Sequence, residues 1–181
     1  SPKSFGHPIG SPCIRSLRIA RRLRPSRRRI GNSRRSSLMS SSSLSVADSI
    51  KNVGVISDTH GLLREEALSA LRGSDIIVHA GDIGSPEVLL RLREIAPTFA
   101  VRGNNDRDAW GMGLPLTEVI AAGSHHIYLV HEMADLDVDP AAAGFSAVVT
   151  GHTHKPVSEW REGVLYLNPG SAGPRRFSLP I

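Results

Sequence analysis

The sequence predicts a single α/β domain behind a basic leader, and three observations carry that prediction. Short apolar runs alternate with helical periods between residues 52 and 102, and the stretch from 117 to 167 breaks into strand-sized pieces between turns. Five of the predicted strand ends carry Asp, Asn or His rather than neutral turn residues.

Asn52 to Ser57 is an apolar run that ends in polar residues, as a buried strand delivering its C-terminal end to a site would. Leu63, Ala67, Leu68 and Leu71 then recur at helical spacing, closed by Gly73, which predicts a helix over 62–71. Asp75 to Ala80 reads as a second buried strand, and Pro86 to Ile95 as a second helix with proline in its first turn. Thr98 to Arg102 completes a βαβαβ order, which predicts parallel strands joined by right-handed crossovers. After Leu116 the predicted strands are 117–122, 126–130, 146–150, 156–160 and 164–167, with Gly123 and Glu162-Gly163 as turns.

The 181 residues hold 22 Lys+Arg and 17 Asp+Glu, a formal net charge of +5. That sign misleads. Residues 1–47 carry Lys3 and ten arginines with no acidic residue, so the other 134 hold 11 basic against 17 acidic residues, a net of −6. The leader is Ser- and Arg-rich and broken by Pro2, Pro8, Pro12 and Pro25; it cannot build a core and is expected to be disordered. It has the composition of an organelle transit peptide, which would direct the protein to a mitochondrion or plastid, with the cytoplasm expected otherwise. A phosphate-neutralising nucleic-acid arm and a mis-assigned start before Met39 are the alternatives. No apolar run reaches the ~18 residues of a membrane-spanning helix, so no membrane partner is expected. The single cysteine, Cys13, lies in the leader, which excludes a disulfide framework or thiolate-bound metal in the body and suggests a reducing, intracellular setting.

The polar strand ends are Asp58-Thr-His60, Gly81-Asp82, Gly103-Asn104-Asn105-Asp106, His131 and Gly151-His152-Thr153-His154. Ligands of open α/β sheets collect at the carboxyl ends of strands, so these clusters can converge. Residues i and i+2 of an extended chain point to one side, so Asp58 with His60, and His152 with His154, each aim two donors at one point. Glycines 81, 103 and 151 allow tight backbone turns beside an ion or phosphate. Each cluster alone has a plainer reading, Asp58 as a helix cap, Gly81-Asp82 as a turn, and His131 as a hydrogen-bonded core histidine. Together they offer carboxylates, an amide oxygen and four imidazoles without sulfur, a set suited to Mn, Fe, Zn or Mg. Seven donors are too many for one four-coordinate ion and about right for two ions ~3.5–4 Å apart that share a carboxylate. His79 is expected to pack or to support a ligand, His125 and His126 to stay outside the site, and Trp110 and Trp160 to cover surface or hairpin.

The ordered set Asp-x-His, Gly-Asp, Gly-Asn-x-Asp, His and Gly-His-x-His resembles the calcineurin-like metallophosphoesterases. Ile56-Ser-Asp-Thr-His-Gly61, His79-Ala-Gly-Asp82, Val101-Arg-Gly-Asn-Asn-Asp106, Gly151-His-Thr-His-Lys-Pro156 and Asn168-Pro-Gly-Ser-Ala172 look like the small YfcE-type phosphodiesterases among them. The resemblance implies a four-layer αββα sandwich over residues 48–181, with Asp58, His60 and His154 on one metal, Asn104, His131 and His152 on the other, and Asp82 bridging. It implies a small phosphodiester substrate, two divalent ions (Mn first, with Zn, Fe, Ni or Mg as alternatives), and Asp58, Asp82, Asn104 and His131 as the catalytic set. Asn105 stands where the larger superfamily usually has His, and Glu132-Met133 where relatives usually show Gly-His. Relatives typically continue past Leu179-Pro180 into a further strand, so the domain is expected to be truncated. The implied alternative is a non-catalytic scaffold of the same fold, like the retromer vacuolar-sorting subunit, in which the amide ligand of Asn104 is replaced by Asp.

Overall fold

The protein is described by a computed structural model, which places residues 15–18 and 50–174. Its first sheet has the order β1-β2-β3-β4, with β1 at Arg15–Arg18, β2 at Asn52–Ile56, β3 at Ile76–His79 and β4 at Thr98–Ala100. Strands β2, β3 and β4 are parallel, as the βαβαβ order predicts. The crossovers are helices α1 (Glu65–Leu71) and α2 (Pro86–Arg93). Helix α1 begins three residues later than its apolar spacing suggests, because the chain first turns at Gly61, where Leu62 N–H bonds back to the Thr59 carbonyl.

The second sheet has the order β5-β6-β7-β9-β8, built from Thr117–Ala122, His125–Val130, Ala147–Val149, Val164–Asn168 and Val157–Arg161 respectively. Strands β6, β7 and β9 are parallel, whereas β5 and β8 close the edges as antiparallel hairpin partners. The β8–β9 turn has Glu162 at φ 50° and Gly163 at φ 81°, the left-handed pair that matches the twist of a two-residue hairpin.

The period-2 alternation of each strand divides the core. Val53, Val55, Ile76 and Val78 face the second sheet and pack on Ile127, Leu129, Val149, Leu165 and Leu167. Ile56 and Ile77 face the other way, onto Leu68, Leu71, Leu89 and Leu92 of the two helices. On the outer face of the second sheet, Tyr128, Val130, Val148 and Val164 are covered by Leu136, Ala141 and Phe145. The sandwich therefore has its two sheets and one helical layer, and its fourth layer is a loop with the short 3-10 helix Met133–Asp135. Among the described residues no helix is long and apolar enough to cross a membrane.

One part of the leader departs from expectation. Arg15–Arg18 pairs antiparallel with β2, Arg15 opposite Val55 and Arg18 opposite Asn52. A sheet edge offers unpaired N–H and C=O groups that any extended backbone can satisfy, so this pairing needs no core-forming side chains. The remainder of the leader, Met39 and Cys13 included, and the expected truncation beyond Leu179-Pro180, lie outside the described residues.

Leu129 is fully buried between the two sheets, one turn of pleat from His131. Leu129→Ala should lower the unfolding free energy by about 2–5 kcal/mol, read as a shift in denaturant midpoint at unchanged m-value. A shift worth less than about 1 kcal/mol would mean that the inter-sheet core does not hold the layers together.

Candidate metal centre

All five polar clusters leave the sandwich at the same end. Asp58 follows β2, Asp82 follows β3, Asn104 follows β4, His131 follows β6 and His152 follows β7. Parallel pairing within each sheet is what aligns these ends. The loops then knit to one another: Asp58 N–H donates to the Gly81 carbonyl, His60 N–H to that of Asp82, Gly61 N–H to that of Ile83, and Gly151 N–H to that of His131.

The side chains expected at the site meet. His154 Nε2 lies 3.2 Å from Asp58 Oδ1 and 3.5 Å from His60 Nε2, two residues 94 apart in the chain. On the other side, Asn104 Oδ1 lies 3.0 Å from His131 Nε2 and 3.2 Å from His152 Nδ1. Asp82 sits between these groups: its Oδ2 is 3.8 Å from His60 Nε2 and its Oδ1 is 3.5 Å from His131 Nε2. The donor atoms of Asp58, His60 and His154 lie within 4.8 Å of one another, as do those of Asp58, Asp82 and His131, so each group could hold an ion.

The backbone is strained at the candidate ligands. Asp58, His60, Asp82, His152 and His154 have φ between 47° and 65°, the left-handed region; among the described residues Glu162 of the hairpin turn is the other non-glycine found there. Such conformations cost of order 1–3 kcal/mol each and persist only where surroundings over-determine them. Close approach adds a second demand. A Cβ on Gly81 would stand 2.5 Å from His131 Nδ1, and one on Gly151 would stand 2.8 Å from Asp58 Oδ2, so both positions require glycine to let the sheets meet.

Several residues of the quoted motifs support the site through contacts that the sequence reading did not anticipate. Ser57 Oγ–H donates to Asp58 Oδ2 at 2.6 Å, and His152 N–H donates to the same oxygen at 3.1 Å. Asn168 Nδ2 donates to the Gly151 carbonyl at 2.6 Å, and Ser171 Oγ–H to the Asp58 carbonyl at 3.0 Å, so the Asn-Pro-Gly-Ser segment clamps both ligand loops. Buried Asp106 accepts backbone N–H bonds from Ile83, Gly84 and Gly103, tying the second loop to the third. Asn105 turns inward, its backbone N–H donating to Asp82 Oδ1 at 2.8 Å and its amide to Oδ2 at 2.6 Å. The signal for these was present as short polar residues beside the ligands, but sequence spacing does not say which loop they cross to. Trp110 packs on the helical layer, and Trp160 is 69% exposed on edge strand β8.

Charge is arranged so that the two carboxylates differ. Burial raises the Asp58 pKa above the usual carboxylate range, against the opposing Ser57 hydrogen bond. Burial presses Asp82 upward too, but its bonds with His131 and Asn105 outweigh it and the pKa falls well below that range. His131 goes up despite its burial, because Asp82 and the Ala80 carbonyl favour its protonated form. His131 Nδ1–H donates to that carbonyl at 2.6 Å, which leaves Nε2 as the nitrogen facing Asn104 and Asp82. Asp58 Oδ1 is buried and accepts no hydrogen bond. A cation among Asp58, His60 and His154 would complete that oxygen, so the residues fit a divalent metal.

Residues 52–181 match the family described as the calcineurin-like phosphoesterase superfamily domain. The chain is 33% identical over 140 residues to a probable metallophosphoesterase of Methanothermobacter thermautotrophicus, covering 71% of this chain and 81% of that protein. It is 33% identical over 139 residues to the phosphodiesterase YfcE of Escherichia coli, covering 64% of this chain and 76% of the relative. Among solved structures, a single mutant of Vps29 from Entamoeba histolytica superposes with a TM-score of 0.57 at 28% identity, covering 71% of this chain and 78% of that one.

His79 lies outside the donor set, fully buried on the helical side of β3. Thr59 Oγ–H donates to the Ile83 carbonyl at 2.9 Å, so His79 Nε2–H donates to Thr59 Oγ1 at 2.9 Å and the ring is neutral. Burial, with His131 nearby, pushes its pKa down to about 3 from 6.5. Below pH 6.5 the unfolded chain binds a proton there that the folded chain does not. The stability this neutral ring allows is therefore complete above the unfolded pKa and is lost as pH falls toward the folded one, by up to about 1.4 kcal/mol per pH unit. His79→Gln should flatten the fall in unfolding free energy between about pH 7 and pH 5 by roughly 2 kcal/mol. Equal slopes in denaturant titrations of wild type and variant would refute it.

Proposed function

The chain belongs to the calcineurin-like phosphoesterase superfamily, and we propose that it is a metal-dependent phosphodiesterase acting on small phosphodiesters at a two-ion centre. One observation carries this reading: donors from five strand ends converge, and the two oxygens of Asp82 face a histidine of each group. In the proposed assignment Asp58, His60 and His154 would hold one divalent ion and Asn104, His131 and His152 the other, with Asp82 placed to serve both. The phosphodiesterase name of the Escherichia coli relative supports the substrate class. Mn is the first choice of metal on donor chemistry, with Zn, Fe, Ni or Mg open.

When bound, two such ions would supply an activated water near neutral pH and offset the charge of the phosphate. The chain's own part is positioning. Asn105 holds both Asp82 oxygens in one orientation, the Ala80 carbonyl fixes the His131 tautomer, and Ser57 with His152 N–H fixes Asp58. A cleft of about 290 Å³ opens beside Asn104 and His131, its wall carrying Arg102 and Arg107 together with Asp106, Glu132 and Asp135. Arg107 Nε–H donates to the Asn104 carbonyl at 2.7 Å, which plants its guanidinium next to the ligand loop. The scaffold alternative has no feature of this site in its favour, since Asn104 keeps its amide oxygen against both histidines.

Asn105 also bears on substrate preference. Its amide cannot act as a general acid, and it is engaged by Asp82 instead of facing a leaving group. Asp106, the neighbouring carboxylate, is committed to three backbone N–H groups and is not free to orient an imidazole at position 105. General acid catalysis is worth roughly 10²–10⁴-fold, and a monoester dianion with a poor leaving group needs it most. Steady-state rates at saturating Mn²⁺ should therefore favour an activated diester such as bis(4-nitrophenyl) phosphate over an alkyl phosphomonoester, and should fall in acid, where protons compete with metal for its ligands. A wild-type preference for the monoester would show that an acid is supplied elsewhere.

Because a bridging carboxylate holds both ions, Asp82→Asn should lose metal together with turnover, by more than the ~10–100-fold that follows loss of an outer-shell partner. Elemental analysis finding two equivalents of metal on the variant, with near-normal rates, would remove Asp82 from the bridging position.

A further inference from the structure

The seven-donor set leaves out one carboxylate that the fold brings to the centre. Glu132 directly follows His131 at the end of β6, where the resemblance to the phosphodiesterases leads one to expect glycine. Its backbone is extended, φ −106° and ψ 137°, and its carbonyl accepts from Asp135 N–H as the chain enters the 3-10 helix Met133–Asp135. That short, fixed segment puts Glu132 Oε1 3.3 Å from His152 Nδ1. The donor atoms of His131, Glu132 and His152 all lie within 4.8 Å of one another.

The polar atoms at this end of the centre face one another. His152 Nδ1 faces two oxygens, Asn104 Oδ1 at 3.2 Å and Glu132 Oε1 at 3.3 Å, and a neutral imidazole has at most one proton to offer them. His131 Nδ1–H donates to the Ala80 carbonyl, which turns its Nε2 to Asn104 Oδ1 at 3.0 Å. Asn104 Oδ1, His131 Nε2, Glu132 Oε1 and His152 Nδ1 thus converge, two oxygens and two imidazole nitrogens of the kind that suit a divalent cation.

We propose that Glu132 is a protein ligand of the second ion, alongside Asn104, His131, His152 and bridging Asp82. The inference rests on the two-ion reading above and adds to it a residue outside the seven-donor set. Its consequence is retention. The His152 and Glu132 side chains are 43% and 30% exposed, so this half of the centre opens to solvent, and an anionic oxygen on the open side slows escape of the ion. The added oxygen also biases the site towards harder ions such as Mn²⁺.

The test is Mn²⁺ binding to the full chain, read by equilibrium dialysis and elemental analysis at neutral pH. Wild type should bind two equivalents. Glu132→Gln and Glu132→Ala should keep the tighter equivalent and weaken the other by about 10–100-fold. Asp135→Asn removes a negative charge from the wall of the same cleft without touching a donor, and should leave both equivalents in place. Unfolding midpoints in EDTA should agree between wild type and the Glu132 variants, separating loss of metal from loss of fold. Two Glu132 variants that bind the second ion as wild type does would overturn the proposal and leave the two-ion reading standing. An equal loss in Asp135→Asn would overturn it too, since the effect would then be field rather than ligation. Fewer than two equivalents on wild type would overturn both.

Discussion

Two carboxylates inside one cleft, Asp58 and Asp82, set the terms for the rest of the molecule. Neither can stay charged in a protein interior without compensation, and their mutual repulsion raises the cost. The surroundings answer them differently. Asp82 receives the Asn105 hydrogen bonds and two flanking histidines, whereas Asp58 keeps one oxygen without a hydrogen bond, turned toward His154. An arrangement that leaves a buried oxygen incomplete is costly as a resting structure and sensible as a cation site, which is why the metal reading explains more here than any account of packing.

The fold bears that cost through its sheets. Parallel strands in each sheet aim five loops at one place, and the inter-sheet core of Val, Ile and Leu holds those loops at fixed separation. Left-handed backbone at five candidate-ligand positions, and glycines where the loops of the two sheets nearly touch, are local penalties of the kind that gather at functional sites. Asp106, Asn168 and Ser171 offset them with loop-to-loop hydrogen bonds that reach no substrate. A centre built this way is rigid before any ion arrives, so binding energy need not order the ligands.

What was legible in the sequence followed from periodicity and from chemistry at strand ends. Apolar runs with one face or two gave β2 to β9 to within a residue or two. Asp58 and His60 do meet, but through left-handed rather than extended backbone, and the other i, i+2 pair divides, His152 joining Asn104 and His154 joining Asp58 and His60. Three things were not legible, each because it depends on pairing across the chain. The strand at Arg15–Arg18 pairs with the edge of β2, a partner that lies more than thirty residues away in the chain. Asn105 reads as a missing acid until the fold turns it onto Asp82. Glu132 reads as a loop substitution until β6 and β7 pair in parallel and set it against His152, twenty residues away in the chain.

Anomalous diffraction at the manganese edge from crystals of the full chain grown with Mn²⁺ tests the account most directly. It predicts two peaks on either side of the Asp82 carboxylate, ~3.5–4 Å apart, one bounded by Asp58, His60 and His154 and the other by Asn104, His131 and His152. A single peak, or peaks that leave Asp82 without contact to both, would contradict it.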